Sequence, residues 1–162
     1  MYRKLTHVTV AIAMTGALVG AITLAAEDTA AGSPTTGGRV VEVVALATSI
    51  NDFVDIGPTG PSPGDVYVFS ETLVRPDDEH QILGRLEGRC NLINPSEGRF
   101  ECTIVSSLPH GTITTAGILV NAPGATSVGA VTGGTGAYRS SRGEATVLLG
   151  TNRHEIRFVL VG

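Results

Sequence analysis

From residue 39 onward, apolar and polar side chains alternate in short runs separated by glycine, proline and asparagine, the pattern of strands joined by tight turns. The stretch 65–74 is the clearest: Val66, Val68 and Ser70 fall on one side, and Tyr67, Phe69 and Glu71 on the other. Residues 39–48 form a β-branched run that holds one carboxylate, Glu42. A loop is expected over 52–64, where Pro58, Pro61 and Pro63 cannot donate to a ladder, and an acidic turn over 75–80. Residues 81–93 and 99–108 face each other across a turn from Asn94 to Gly98. Turns at 109–111, 122–124 and 150–152 bound further strands at 112–120, in the apolar stretch leading to the glycines at 133, 134 and 136, at 138–149 and at 154–161. About eight strands at short, even spacing predict an all-β domain, an eight-stranded antiparallel up-and-down barrel of the calycin kind rather than a sandwich. Such a barrel encloses a volume that side chains fill or that holds one small ligand.

The glycine cluster invites a second reading as a phosphate-binding loop. That chemistry needs a helix N-terminus directly after the glycines, and the residues after Gly136 are strand-like, so a hairpin corner is expected instead.

Composition supports the pattern and changes the picture at the N-terminus. With 162 residues, 21 of them glycine, and no tryptophan, the chain suits one domain rich in turns. Residues 1–26 carry Arg3 and Lys4 followed by an uncharged apolar run, the layout of a secretory signal with a cut after Ala25. The run approaches the length that spans a bilayer, so an uncleaved N-terminal anchor is the alternative; either way the domain is expected outside the cytoplasm. Residues 27–38 are small and polar, with Pro34 and a Gly37-Gly38 pair, and read as a linker before a domain at 39–162. Removal of the signal takes two of eleven basic residues, leaving nine against 15 acidic ones, a net charge near −6. Nucleic acid is thereby excluded as a partner, since phosphate binding needs clustered Lys and Arg. Arg85, Arg89 and Arg99 are interleaved with Glu87, Glu97 and Glu101, and read as cross-strand pairs on a solvated face.

Candidate chemistry is sparse. Cys90 and Cys102 lie at equal distances from Ser96, directly opposite each other in a symmetric hairpin. In an exported protein the expectation is a disulfide, with a pair of buried thiols as the alternative. Without a histidine partner the two make no zinc site. His80, His110 and His154 fall at expected turns and read as solvent-exposed, and Ser106 and Ser140 have no sequence-readable base.

Five segments then carry a resemblance: GDVYVFSETL at 64–73, GRLEGRC at 84–90, RFECT at 99–103, GTITTAG at 111–117 and AVTGGTGAYRSSRGE at 130–144. Their order resembles that of allene oxide cyclases and dirigent proteins over nearly all of the chain after the signal. The resemblance implies an eight-stranded barrel with an apolar central cavity, a homotrimer, and a protein that holds a reactive intermediate in one conformation while a ring closes or two molecules couple. Taken position by position, it implies that Phe69, Cys90 and Tyr138 line the cavity. It also puts Glu42 near a first-strand carboxylate that assists ring opening, Glu71 where the family has a water-binding amide, and Arg142 where dirigent proteins need an arginine. Val44 stands where the cyclases have an asparagine, and the accompanying proline and serine have no match in 47–51, so the resemblance supports the barrel more than that one reaction.

A carboxylate taken out of water by an apolar barrel holds its proton more readily and serves as a general acid or base near neutral pH. Glu42 and Glu71 on facing inner walls would share that work, one charged and one protonated. The alternative for Glu42 is a barrel-wall carboxylate paired to an arginine, for Arg142 a residue that ties down a loop, and for Phe69 and Tyr138 plain core. Two functions are expected: a cofactor-independent cyclase or isomerase acting on a small apolar intermediate, or an exported carrier of apolar ligands or dirigent-like protein without catalysis. Family resemblance favours the first, export the second. Contact with a membrane is expected only through an uncleaved signal.

Overall fold

The computed structural model describes residues 38–162. The signal and all but the last residue of the expected linker lie outside the described residues. Eight strands, β1 (Arg39–Val54), β2 (Val66–Arg75), β3 (Asp78–Asn94), β4 (Arg99–Leu108), β5 (Gly111–Val120), β6 (Thr126–Gly134), β7 (Arg142–Leu148) and β8 (Arg153–Val161), form a closed antiparallel barrel. Each strand pairs with its chain neighbours, and β8 returns to β1 with Glu42 opposite Arg157 and Ala45 opposite His154. Closure satisfies every strand edge, and up-and-down order needs only the short turns read from the sequence.

Alternation decides what is inside. Val43 and Ala45 of β1, Phe69 and Leu73 of β2, Leu86 and Cys90 of β3, Phe100 and Cys102 of β4, and Ile156, Phe158 and Leu160 of β8 are buried in one cluster. Burying a Leu, Ile or Phe side chain contributes roughly 1.5–3 kcal/mol each, so this inner row dominates stability.

Several boundaries differ from the sequence expectation. Residues 52–54, expected in a loop, extend β1 and pair with 66–68 of β2 after an irregularity between Leu46 and Ile50. The prolines stand beyond this extension, so they end the pairing later than their clustering suggests. β3 begins at Asp78 inside the expected acidic turn, and its pairing with β2 is broken by shifts around Val74. After the glycines the chain does not resume as strand at Tyr138: a short 3-10 turn, Gly136–Tyr138, intervenes, and β7 begins at Arg142. Gly136 has φ +57°, which a side chain resists, so the hairpin corner needs glycine there.

Cys90 and Cys102 are opposite each other in the β3–β4 register and are joined by a disulfide, with Cα atoms 4.0 Å apart. The arginines of this hairpin pair along the chain rather than across it: Arg85 with Glu87 at 3.9 Å and Arg99 with Glu97 at 3.8 Å, all well exposed. Ion pairs of this kind contribute little to stability.

Candidate functional site

The barrel is filled at one end and hollow at the other. Towards the start of β1 and the end of β8, Leu73, Ile113, Val131, Tyr138, Phe158 and Leu160 pack into a solid plug. Arg39 covers it, donating from Nη2 to Tyr138 Oη (3.3 Å) with its guanidinium 4.7 Å from the ring centre. At the other end lies a cavity of about 300 Å³, the small end of the range for ligand sites. Its mouth is formed by Asn51 of β1, Asn121 and Pro123 of the β5–β6 connection, and Gly150, Thr151 and Asn152 of the β7–β8 connection.

The walls are mostly apolar: Phe69 and Tyr67 of β2, Leu86 and Cys90 of β3, Phe100 and Ile104 of β4, Leu119, Val147 and Ile156. Tyr67 stacks on Phe69 (centroids 5.5 Å apart) and lies tilted to Phe100 (6.4 Å). The Phe69 ring sits over Gly88 on the neighbouring strand, where a Cβ would come within 2.4 Å of its tip. Glycine at 88 therefore sets how far the ring withdraws from the hollow.

Glu71 and His154 line this cavity together, with the Tyr67 phenol as a third titratable group of its wall. Glu71 of β2 is only 3% exposed. Its Oε1 lies 3.6 Å from Nε2 of His154 on β8, and its Oε2 is buried without a hydrogen-bond partner among the described residues. The two strands flank β1, whose inward residues at this level are Ala45 and Ala47, small enough for the side chains to meet across them. Gly150 N–H donates to Nδ1 of His154 (3.2 Å), so Nδ1 keeps its lone pair and the ring proton resides on Nε2, facing Glu71. Burial, and then the negative charge of Glu71, hold the Tyr67 phenol above its ordinary range, so it remains a neutral donor in the wall.

The mouth is braced by Asp65, which is fully buried. It accepts from the backbone N–H groups of Ile56 (2.9 Å), Gly57 (3.3 Å) and Ser62 (2.7 Å) and from the Ser62 hydroxyl (3.2 Å). These bonds, with Ile56 foremost, hold its carboxyl below the usual aspartate range. One side chain thus fastens the proline-rich β1–β2 loop.

The residues expected to form a site are only partly brought together. Phe69, Glu71 and Cys90 line the cavity, Cys90 as half of the disulfide. Glu42 does not face Glu71: it lies on the outer surface, its side chain 58% exposed, with Oε1 3.3 Å from Arg157 Nε. The outward row of β1 is as β-branched as the inward one, with Val40 and Val44 flanking Glu42, so alternation alone left its face undecided. Tyr138 belongs to the plug at the closed end, and Arg142 is exposed, its Nη1 donating to the Ser141 carbonyl. His154, expected to be exposed at a turn, is instead the partner of Glu71. Its parity with Ile156, Phe158 and Leu160 was the available signal, masked by its position two residues after a turn.

Comparison with known proteins agrees with this architecture. Among curated proteins no sequence matches this one. Among solved structures, a pyocyanin demethylase is similar at 26% identity with a TM-score of 0.63, over 75% of this chain and 100% of that one. A pterocarpan synthase dirigent protein is similar at 18% identity and TM-score 0.59, over 78% and 98% of the two chains. An exo-specific intermolecular Diels-Alderase is similar at 20% identity and TM-score 0.57, over 77% and 100%. The family model for the allene oxide cyclase barrel-like domain matches residues 42–160, and with a closed eight-stranded barrel beneath that match, the chain belongs to this family.

Proposed function

We propose that the barrel takes a small, largely apolar intermediate through its open mouth, holds it in one folded shape, and directs ring closure or coupling with Glu71 as the acid–base group. The observation that carries this reading is the buried Glu71 oxygen with no partner at the wall of an otherwise apolar cavity. A polar group left in that state costs stability, and the cost is offset when a bound molecule supplies the missing contact.

The apolar body of the substrate packs against Phe69, Phe100 and Ile104, which exclude water and restrict its rotamers before reaction. Glu71 Oε2 takes a proton from one atom of the substrate. The new bond closes, and the same proton returns to another atom, so the balance is an isomerisation that needs no external reductant or oxidant. His154 is a positioning residue: its Nε2–H faces Oε1 and fixes which oxygen points at the substrate. General acid–base help of this kind contributes roughly 10²–10⁴-fold. The Diels-Alderase and the dirigent protein support the reaction class, as proteins of this barrel named for ring formation and synthesis. The Cys90–Cys102 disulfide and the apolar N-terminal run support an extracytoplasmic location, and the family resemblance supports a homotrimer.

The test is capture followed by conversion. Purified protein is incubated with an apolar extract of the culture medium, bound species and subunit number are read by native mass spectrometry, and isomer composition is followed over time. Glu71→Gln should retain capture and lose at least a hundredfold in conversion, while Glu42→Gln behaves as the parent. Capture without conversion by any form would make the protein a carrier, and no capture would end the cavity reading.

A further inference from the structure

Resting on that cavity reading, we infer that the guest is a cation: an apolar molecule bearing one positive charge, a protonated amine or iminium, seated against Glu71. Charge inside the barrel is otherwise unbalanced. Glu71 brings a carboxylate to the cavity, and among the described residues no arginine or lysine lines it. The sole lysine is Lys4, and the nearby arginines point outwards into other partners: Arg153 to Glu79 and Glu155, Arg157 to Glu42, Arg85 to Ser70 and Glu87.

His154 meets Glu71 through Nε2 at 3.6 Å, while its Nδ1 accepts the Gly150 N–H, a bond that a proton added at Nδ1 would break. Tyr67, the other titratable group facing Glu71, is neutral. A carboxylate enclosed in low dielectric with one oxygen unpartnered among the described residues is costly, and a cation that enters is attracted by a field that water no longer screens. The remaining wall suits the same guest. Tyr67, Phe69 and Phe100 line the cavity as one aromatic cluster, and aromatic faces attract cations by about 0.5–2 kcal/mol. Asp52, exposed at the mouth end of β1, and the excess of 15 acidic over 11 basic residues favour approach of positive molecules. A neutral donor would give Glu71 a hydrogen bond but leave its charge unbalanced, and an anion would be repelled.

Three probes with one apolar body separate these cases: 1-naphthylmethylamine, 1-naphthylmethanol and 1-naphthoate, titrated calorimetrically at pH 7 and low salt into the full chain. The amine should bind at least tenfold more tightly than the alcohol, and the carboxylate should not bind. Glu71→Gln should bring amine and alcohol within twofold of each other, Glu42→Gln should leave the preference intact, and Val147→Trp, which fills the cavity, should abolish it. If the alcohol binds as tightly as the amine, or if the preference survives Glu71→Gln, the charge inference is overturned while the cavity remains a guest site. If none of the three binds, both readings fall. Should Glu71→Gln not fold, survival of the preference in Val147→Trp overturns the inference equally.

Discussion

Asp65, Glu71 and Glu42 are three carboxylates on one hairpin pair and its connecting loop, and their surroundings give them different work. Asp65 satisfies four donors and gains from doing so, Glu71 leaves one oxygen unmet inside the barrel, and Glu42 shares solvent with Arg157. Because the folded-state pKa of Asp65 is lowered, its contribution is present above the unfolded value near 3.9 and is lost as pH falls through the lower folded value. Melting temperature followed from pH 6 to pH 2 should therefore fall less steeply below pH 4 in Asp65→Asn, from a lower starting point, than in the parent. Parallel curves would show that the loop clamp gains nothing from charge. Glu71→Gln should be more stable than the parent by about 1 kcal/mol and melt a few degrees higher, since an amide is cheaper to enclose than a carboxylate short of one partner. A lower melting point would mean that Glu71 is held for the fold. Alternation in β2 put Glu71 on one face with Tyr67, Phe69 and Leu73, and the family resemblance turned that face inward; for Glu42 both rows of β1 are apolar and the pattern left its side open.

At the level of elements, the β3–β4 hairpin was the most legible part of the chain. Its turn residues, the equal spacing of its cysteines and its alternation agree on one register, and Cys90 stands opposite Cys102 as that symmetry requires. Closing a loop of this length contributes roughly 3 kcal/mol in the chain-entropy model. Replacing both cysteines by alanine should lower the melting temperature by roughly 10 °C while leaving the β-sheet circular dichroism spectrum unchanged. An unchanged melting temperature would place the bridge outside the forces that hold the barrel. The β1–β2 connection was less legible. Pro58, Pro61 and Pro63 do interrupt pairing, but the ladder runs on to Val54 and restarts at Val66, because Phe53 opposite Tyr67 and Val54 opposite Val66 still find partners. Proline marks where a ladder cannot pass, and the reach of the strand before it depends on the strand alongside.

For the whole molecule, function depends on the barrel being filled at one end only. Val147→Trp places the chain's sole tryptophan in the hollow half. It should cost no more than about 1–3 kcal/mol in stability, yet remove guest binding, with the new indole fluorescence reporting a buried ring. Binding that survives this change would put the guest elsewhere. The sequence alone determined the number of strands, their up-and-down order, the register of the cysteines and the shared face of Phe69 and Glu71. All of these follow from a two-residue period and from turn residues, which act over a few positions. Tertiary structure decided that Tyr138 closes the far end, that Glu42 lies outside, and that His154 meets Glu71 across the alanines of β1. Those outcomes depend on how β8 closes onto β1, a pairing between the two ends of the barrel that no local pattern encodes.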